Sequence, residues 1–219
     1  MTPATPSIVR HVALLKWHAG AAPEAIRAAQ AAFAGFMPHM PGMLGFHVAA
    51  NIGIDVLPEL GMDCVHVADF ASVADFKAYQ AHPLHAEYGR KHIHDVLADA
   101  RTVQLAAAPQ RYDGSGTAIR HAVLVQWKPG LDAAHGLRAQ AAFPAMAAHV
   151  PGIVRASVGP NLGIDGNAAR NWDFAFVIDF ESVAAVQAYW ANPEHGAYAD
   201  AFVRPFARDS RRIQCRWPA

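Results

Sequence analysis

Hydrophobic and polar residues alternate along residues 8–17, which is the pattern of a β-strand with two unlike faces. One face is apolar apart from a single histidine, and it carries Val9, His11, Ala13, Leu15 and Trp17. Residues 23–40 instead place large apolar side chains at helical spacing, and they open with Pro23, which suits a first helical turn. Pro41 and Gly42 end this segment. We therefore predict a strand followed by a helix.

The pattern then continues through a second half of the same unit. The predicted elements are, in order, a strand at 43–51, a loop at 52–62, a strand at 63–70, a helix after Ser72 that runs through Tyr79, a helix from Pro83 to about Ala98, and a strand at 101–106. Ser72 is suited to cap the first of these helices, and Pro83 is suited to begin the second. The order β-α-β-β-α-β is that of a ferredoxin-like unit, in which a four-stranded antiparallel sheet carries its helices on one face.

The whole pattern returns 110 residues further along the chain without a gap. Of the 99 positions in residues 8–106, 34 are identical in residues 118–216. Units of about 100 residues bury surface inefficiently on their own, so we predict that the two copies pack their bare sheet faces together as an eight-stranded, barrel-like core. The predicted parts of this α+β chain are an N-terminal tail (1–7), a first domain (8–106), a linker (107–117) and a second domain (118–217).

Composition narrows the classes of function. The chain is 53% hydrophobic, and its 18 basic and 18 acidic side chains give a formal net charge of zero. Nucleic acid requires a basic stripe, so we expect no nucleic-acid partner. No apolar run approaches the roughly 18 residues that span a bilayer, and residues 1–7 lack the pattern of a signal peptide. We expect no membrane partner and a cytoplasmic location. Cys64 and Cys215 lie at non-equivalent places in the repeat, which favours neither a disulfide nor a duplicated metal site.

Several short motifs occur in the same order in both copies, and together they resemble the stress-responsive A/B barrel (Dabb) family. In the first copy they are Arg10-His11 with Trp17 six residues after the histidine, Pro41-Gly42, Asp69-Phe70-x-Ser72-Val73, and Tyr79-x-x-x-Pro83-x-His85. The resemblance covers nearly the whole chain. It implies a dimeric α+β barrel, with the usual pair of identical chains fused here into one pseudo-dimer. A further homodimer of the fused chain stays open.

The resemblance also implies candidate catalytic residues. In a plant polyketide cyclase of this family, a histidine is the base of an intramolecular aldol condensation and a tyrosine holds the substrate. The matching residues here are Tyr79 and His85, Tyr189 and His195, with His11 and His121 matching a further histidine of the pocket. A histidine in a first helical turn is disfavoured as imidazolium, so it stays neutral and able to accept a proton. Each of these residues also has a simpler structural explanation, as a packing or capping side chain.

Four more residues that recur in both copies are assigned to substrate binding: Trp17, Trp127, Asn51 and Asn161. The two asparagines also suit the turn after the second strand. His82-x-x-His85 has metal-ligand spacing, but His82 becomes Asn192 in the second copy, so we predict no metal site. The chain contains no phosphate-binding loop or nucleophile elbow, and we expect no cofactor.

The leading hypothesis is a cofactor-independent acid–base enzyme, of the lyase, cyclase or isomerase type, that acts on a small hydrophobic carbonyl compound. One alternative is a non-catalytic binding or structural protein. Another is a cofactorless monooxygenase-like member of the fold. A cavity of roughly 300 Å³ or more beside Tyr79 and His85 would favour the enzyme. The sequence leaves open whether the protein is an enzyme, what its substrate is, and which half is active.

Overall fold

The structure is a computed structural model that describes residues 7–112 and 117–218. The first copy of the repeat forms β1 (Ile8–Trp17), α1 (Pro23–Phe36), β2 (Met43–Ala50), β3 (Cys64–Phe70), α2 (Val73–Ala81), α3 (Pro83–Tyr88) and β4 (Leu97–Ala107). The second copy forms β5 (Thr117–Trp127), α4 (His135–Ala147), β6 (Ile153–Pro160), β7 (Phe174–Phe180), α5 (Val183–Ala191), α6 (Pro193–Phe202) and β8 (Ala207–Pro218). Both copies have the predicted order, with the last helical segment divided in two by a proline.

Each copy contributes one four-stranded antiparallel sheet. The strand orders are β2-β3-β1-β4 and β6-β7-β5-β8. The inner strands β1 and β5 pair with a neighbour on both sides along most of their length. This is the ferredoxin-like topology, so the predicted α+β fold class is confirmed.

A hydrophobic core joins the two sheets face to face. On β1, the residues that alternate with the His11 face point towards the other sheet. Val12 and Leu14 pack in one buried cluster with Ala122, Leu124 and Trp217 of the second copy. Full burial of such an aliphatic side chain contributes about 1.5–3 kcal/mol. The sheets thus form an intramolecular α+β barrel with the helices outside, which confirms the predicted pseudo-dimer.

Two loops fasten the halves together. The loop after β2, residues 51–63, lies against β8, and the loop after β6, residues 161–173, lies against β4. The backbone bonds are Ile52 N to Gln214 O (2.9 Å), Met62 N to Arg212 O (2.8 Å), Leu162 N to Gln104 O (2.7 Å) and Trp172 N to Thr102 O (2.8 Å). Each half therefore places a loop beside the last strand of the other half.

A buried ion pair supports each sheet. Arg10, which is 1% exposed, donates two hydrogen bonds of 2.7 Å to Asp69 on the neighbouring strand β3. Arg10 also donates to the hydroxyl of Ser157 in the second half at 2.5 Å. Arg120 and Asp179 repeat the pair. Such pairs are costly to break because removal of one partner leaves a buried charge.

Some predicted boundaries are wrong near the end of the first copy. The helix from Pro83 was expected to reach Ala98, but α3 ends at Tyr88 and a π-helical turn closes the segment at Ile93. The last strand begins at Leu97 rather than at Arg101 because it pairs with β1 as far as Trp17, through an irregularity in register. The predicted cap is confirmed, since the Ser72 hydroxyl accepts a hydrogen bond from Asp75 N at 3.2 Å.

Parts of the predicted tail and linker, residues 1–6 and 113–116, lie outside the described residues. Both cysteines are free and buried. Among the helices that the structure describes, none has the length and apolar character needed to cross a membrane.

Candidate active site

A cavity of about 200 Å³ lies in the first half, between the sheet and its covering helices. His11 of β1, Tyr79 of α2 and His85 of α3 all line it. Asp165, from the loop after β6, reaches into the same cavity from the other half. The three residues predicted from the sequence are therefore brought together in one place.

The second half has a matching cavity of about 230 Å³. It is lined by the equivalent residues His121, Tyr189 and His195. Leu57 and Leu60, from the loop after β2, close it from the first half. Both cavities are smaller than the roughly 300 Å³ that would favour an enzyme over a structural protein.

Local structure explains how the histidine and tyrosine meet. Tyr79 lies in the last turn of α2, and the chain turns at His82 before Pro83 begins α3. The His82 ring accepts a hydrogen bond from Leu84 N at 3.2 Å, which caps α3 and places His85 in its first turn. The ring centroids of Tyr79 and His85 are 4.4 Å apart.

The second half repeats this geometry closely. The ring centroids of Tyr189 and His195 are 4.0 Å apart. The strand histidines lie further away, with centroids 6.1 Å apart for His11 and Tyr79 and 6.0 Å apart for His121 and Tyr189. The three rings of each trio therefore lie close together along the wall of one cavity.

The hydrogen bonds of His85 indicate which of its nitrogens is available. Nδ1 lies 3.3 Å from the carbonyl oxygen of Gln80. A carbonyl oxygen only accepts, so Nδ1 carries the proton and donates it. Nε2 is then the unprotonated nitrogen, and it makes no hydrogen bond to a described residue. His85 thus keeps one unprotonated nitrogen, and its side chain lines the cavity.

His11 has the opposite tautomer. The Gln104 amide nitrogen lies 3.0 Å from His11 Nδ1 and 3.2 Å from the Asp165 carboxylate. The nitrogen, rather than the amide oxygen, must face the carboxylate, so it donates one proton to each neighbour. His11 Nδ1 is therefore an acceptor and Nε2 carries the proton.

Burial controls the protonation of these groups. It lowers the pKa of His11 to about 4 and that of His121 to about 3, so both rings are neutral at pH 7. Burial also lowers the pKa of His85 and of His195. It raises the pKa of Tyr79 and of Tyr189, and both phenols keep their protons as hydrogen-bond donors.

The other four predicted binding residues do not line either histidine cavity. Trp17 packs beside Leu97 at the end of the sheet, and the Trp127 ring packs against His135, with ring centroids 5.1 Å apart. Asn51 donates to Met62 O at 2.7 Å and accepts from Gly53 N at 2.8 Å, and Asn161 makes the equivalent bond to Gly163 N.

These two asparagines shape the start of the crossing loops. Gly53 and Gly163 have φ angles of +70° and +66°, which favour glycine over residues with a Cβ atom. The turns aim Asp55 and Asp165 across to the opposite half, where Gln214 and Gln104 donate to them. The asparagines are thus turn residues, and neither lines a histidine cavity.

Sequence reasoning missed the aspartates and glutamines of this network. Asp55 and Asp165 recur in the two copies, as do Gln104 and Gln214. That recurrence was a usable signal. Each aspartate, however, pairs with the glutamine of the opposite copy, and the linear sequence does not show this. His66, whose equivalent is Phe176, was also missed as a lining residue of the first cavity.

Residues 9–105 and residues 119–214 each match the model of the stress responsive A/B barrel domain. The chain belongs to this family. A comparison with curated proteins found no match. The two matched segments coincide with the two copies of the repeat and include both histidine–tyrosine trios.

Solved structures support the same fold over nearly the whole chain. An anthrone oxidase-like protein superposes with a TM-score of 0.70 at 12% identity, covering 99% of this chain and 93% of that one. A putative monooxygenase from Fusobacterium nucleatum gives 0.59 at 10% identity, with 97% and 93% covered. A putative monooxygenase from Lactobacillus acidophilus gives a TM-score of 0.53 at 14% identity, covering 96% of this chain and 94% of that one. At these identities the likeness shows the fold alone.

Proposed function

We propose that this A/B barrel protein is a cofactor-independent acid–base enzyme that removes a proton next to the carbonyl group of a small hydrophobic compound. The observation that carries the proposal is the convergence of a histidine base, a tyrosine donor and a second histidine donor on one cavity. His85 offers an unprotonated Nε2, while Tyr79 and His11 offer protons. A base and hydrogen-bond donors are what enolate formation requires.

The proposed reaction begins when His85 Nε2 takes a proton from the carbon next to the carbonyl group. The electron pair of that C–H bond moves towards the carbonyl oxygen, and an enolate and an imidazolium form together. Tyr79 Oη–H and His11 Nε2–H donate to the developing oxyanion. Tyr189, His121 and His195 have the same roles available in the second half. The enolate carbon then attacks a second carbonyl group or regains a proton.

Cavity size limits the substrate. A cavity of about 150 Å³ holds one benzene molecule, so about 200 Å³ suits a single substituted ring or a short branched chain. The apolar walls, which include Phe33, Leu15 and Ile93, favour a hydrophobic compound. The cavity therefore favours a small hydrophobic carbonyl compound with one ring or a short chain.

The test is exchange of α-hydrogens in deuterated water, followed by proton NMR without any need to know the product. Acetophenones, cyclohexanones and short β-diketones form the panel. We expect accelerated exchange by the full chain, and a loss of about 10²–10⁴-fold in the double variant His85→Ala/His195→Ala. Tyr79→Phe/Tyr189→Phe is expected to lose less, because His11 and His121 remain as donors. His94→Ala, at an exposed histidine, is the matched control.

Two results would reject the proposal. One is exchange no faster than in buffer for every compound, which would favour a non-catalytic binding or structural protein. The other is exchange that survives the double histidine variant. Each assay is run with and without air, because consumption of oxygen by the same compounds would instead favour the monooxygenase alternative.

A further inference from the structure

The two cavities share their histidines and tyrosine but differ in the charges around them. In the first cavity, Asp165 accepts hydrogen bonds from three neutral side chains: Gln80 at 2.8 Å, Gln104 at 3.2 Å and Thr102 at 3.4 Å. None of these donors carries a positive charge. The negative charge of Asp165 is therefore left uncompensated by its hydrogen-bond partners.

In the second cavity the equivalent carboxylate is neutralised. Arg212 replaces Thr102, and it forms an ion pair of 2.6 Å with Asp55. The Arg212 side chain is only 14% exposed, and it lines the cavity together with Arg204. Gln214 donates to Asp55 at 3.1 Å, as Gln104 does to Asp165. The substitution of one strand residue thus removes the free negative charge from this half.

A second substitution breaks the connection to the helix histidine. Gln80 connects Asp165 to His85, because its side chain donates to Asp165 and its carbonyl group accepts from His85 Nδ1. Trp190 stands at the equivalent position, and its ring has no amide to donate to Asp55. The carbonyl group of Trp190 still raises the pKa of His195, but the Trp190 ring nitrogen has no hydrogen-bond partner among the described residues. The second half has therefore lost the uncompensated charge and the side-chain connection to it.

We infer that the first cavity is the proton-accepting one, and that Asp165, supplied by the second half, is the positioning residue that stabilises His85 once it is protonated. This inference rests on the proposed function and names the half in which it operates. A carboxylate near an imidazolium lowers the free energy of the charged ring, whereas nearby arginines raise it. The step itself is unchanged: the proton leaves the carbon next to the carbonyl, and the enolate and imidazolium form as a pair.

The charged and titratable groups near the two histidines differ between the halves. Around His85 they are His82 and Tyr88 on its own helix, Lys77 and Tyr79 on α2, His11 on β1, His66 on β3, and Asp165 and Arg170 on the crossing loop. Of these, Asp165 and His82 are the charged groups that shift the pKa of His85. Around His195 they are Glu194 on its own helix, Tyr189, His121, Tyr198, Arg204 and Arg212. Asp165 raises the pKa of His85 against the larger lowering effect of burial, while Arg204 and Arg212 add to that effect at His195.

The test compares the halves in the full-length chain by exchanging their divergent residues. Proton NMR titration of the imidazole signals measures the pKa of His85 and of His195 directly, without turnover. We expect His85 to have the higher pKa. Asp165→Asn and Thr102→Arg should lower the pKa of His85, and Arg212→Thr should raise that of His195. Asp132→Asn, at an exposed ion pair, should change neither.

Exchange rates give the second readout. His85→Ala should abolish the accelerated exchange, while His195→Ala retains most of it. Asp165→Asn should slow exchange roughly tenfold, which corresponds to about 1.4 kcal/mol of transition-state stabilisation. Equal pKa values for His85 and His195, or loss of exchange in His195→Ala alone, would overturn the inference. If no compound exchanges, the proposed function fails, and the titration still decides whether Asp165 distinguishes the halves.

Discussion

Single buried histidines show how far an environment changes a side chain. His66 on β3 is 4% exposed, and its ring lies against Phe33, with ring centroids 4.0 Å apart. Burial lowers its pKa to about 3, so it packs as a neutral ring. Phe176 occupies the same position in the second half. A buried neutral histidine of this kind changes the free energy of unfolding little at neutral pH. In acid it lowers the free energy of unfolding, because the unfolded chain binds a proton that the folded chain does not.

Acid stability follows from three such histidines. His11, His66 and His121 have folded pKa values of about 4, 3 and 3, below the ordinary value of 6.5. Below pH 6.5 the unfolded chain binds protons that the folded chain does not, so stability is complete above that pH and is lost as the pH falls towards 4. Each histidine contributes about 1.4 kcal/mol per pH unit. Urea denaturation between pH 7 and pH 5 measures the slope.

The variant His66→Phe isolates one of these contributions, because phenylalanine is the natural residue at the equivalent position 176. We expect the free energy of unfolding to depend on pH less steeply, by about 1.4 kcal/mol per unit between pH 6 and pH 5. His94→Ala, at an exposed histidine, should leave the slope unchanged. An identical slope in wild type and His66→Phe would show that this ring is protonated in the folded chain.

At the scale of elements, the ends of the helices matter most for the site. α2 and α5 begin after Ser72 and Ser182, and α3 and α6 begin after His82 and Asn192. All four residues place a side-chain acceptor on a free backbone N–H group of the first turn. The caps fix where α2 and α3 begin, and they thereby set the positions of Tyr79 and His85 over the sheet.

Removal of a cap should destabilise the folded protein without removing any side chain of the candidate site. Ser182 accepts a hydrogen bond from Ala185 N at 3.1 Å. We expect Ser182→Ala to lower the free energy of unfolding by about 1 kcal/mol, because the N–H group loses its acceptor. Ser182→Asp keeps an acceptor and should cost only a few tenths of a kcal/mol. Urea titrations of both variants check this, and equal losses would argue against the capping role.

At the scale of the whole molecule, the two halves share one core and exchange loops. Each half alone would expose the sheet face that carries Val12 and Leu14, or Ala122 and Leu124. The loops that supply Asp55 and Asp165 also depend on the opposite sheet for their hydrogen bonds. Neither half therefore completes its own cavity.

The shared core predicts cooperative unfolding of both halves. Leu14 is fully buried in the first half, so Leu14→Ala should cost about 2–5 kcal/mol. Four of the five tryptophans lie in the second half, so tryptophan fluorescence reports mainly on that half. We expect the fluorescence and circular-dichroism transitions to move together in Leu14→Ala. Leu44→Ala, at a 53% exposed position, should move neither. A fluorescence transition left in place would show that the halves unfold independently.

Much of the fold was predictable because it depends on local pattern and on repetition. The alternation of β1, the cap at Ser72 and the proline at the start of α3 act over a few residues, and each was confirmed. The end of the helix after Pro83 was not predictable, because the pairing of β4 with Trp17 sets the start of the next strand. Strand pairing is a long-range interaction that local propensity does not report.

The sequence by itself determined two ferredoxin-like units and their union, since periodicity and duplication are readable along the chain. The histidine–tyrosine trio was indicated only by the resemblance to the A/B barrel family. Only the tertiary structure decided which aspartate serves which cavity. Asp165 lies 61 residues from Gln104 and 85 residues from Gln80 along the chain. A loop that crosses the barrel nevertheless places its carboxylate where both glutamines donate hydrogen bonds to it. The electrostatic effect of a carboxylate depends on its distance in space, and the crossing loops bring together residues that are far apart along the chain.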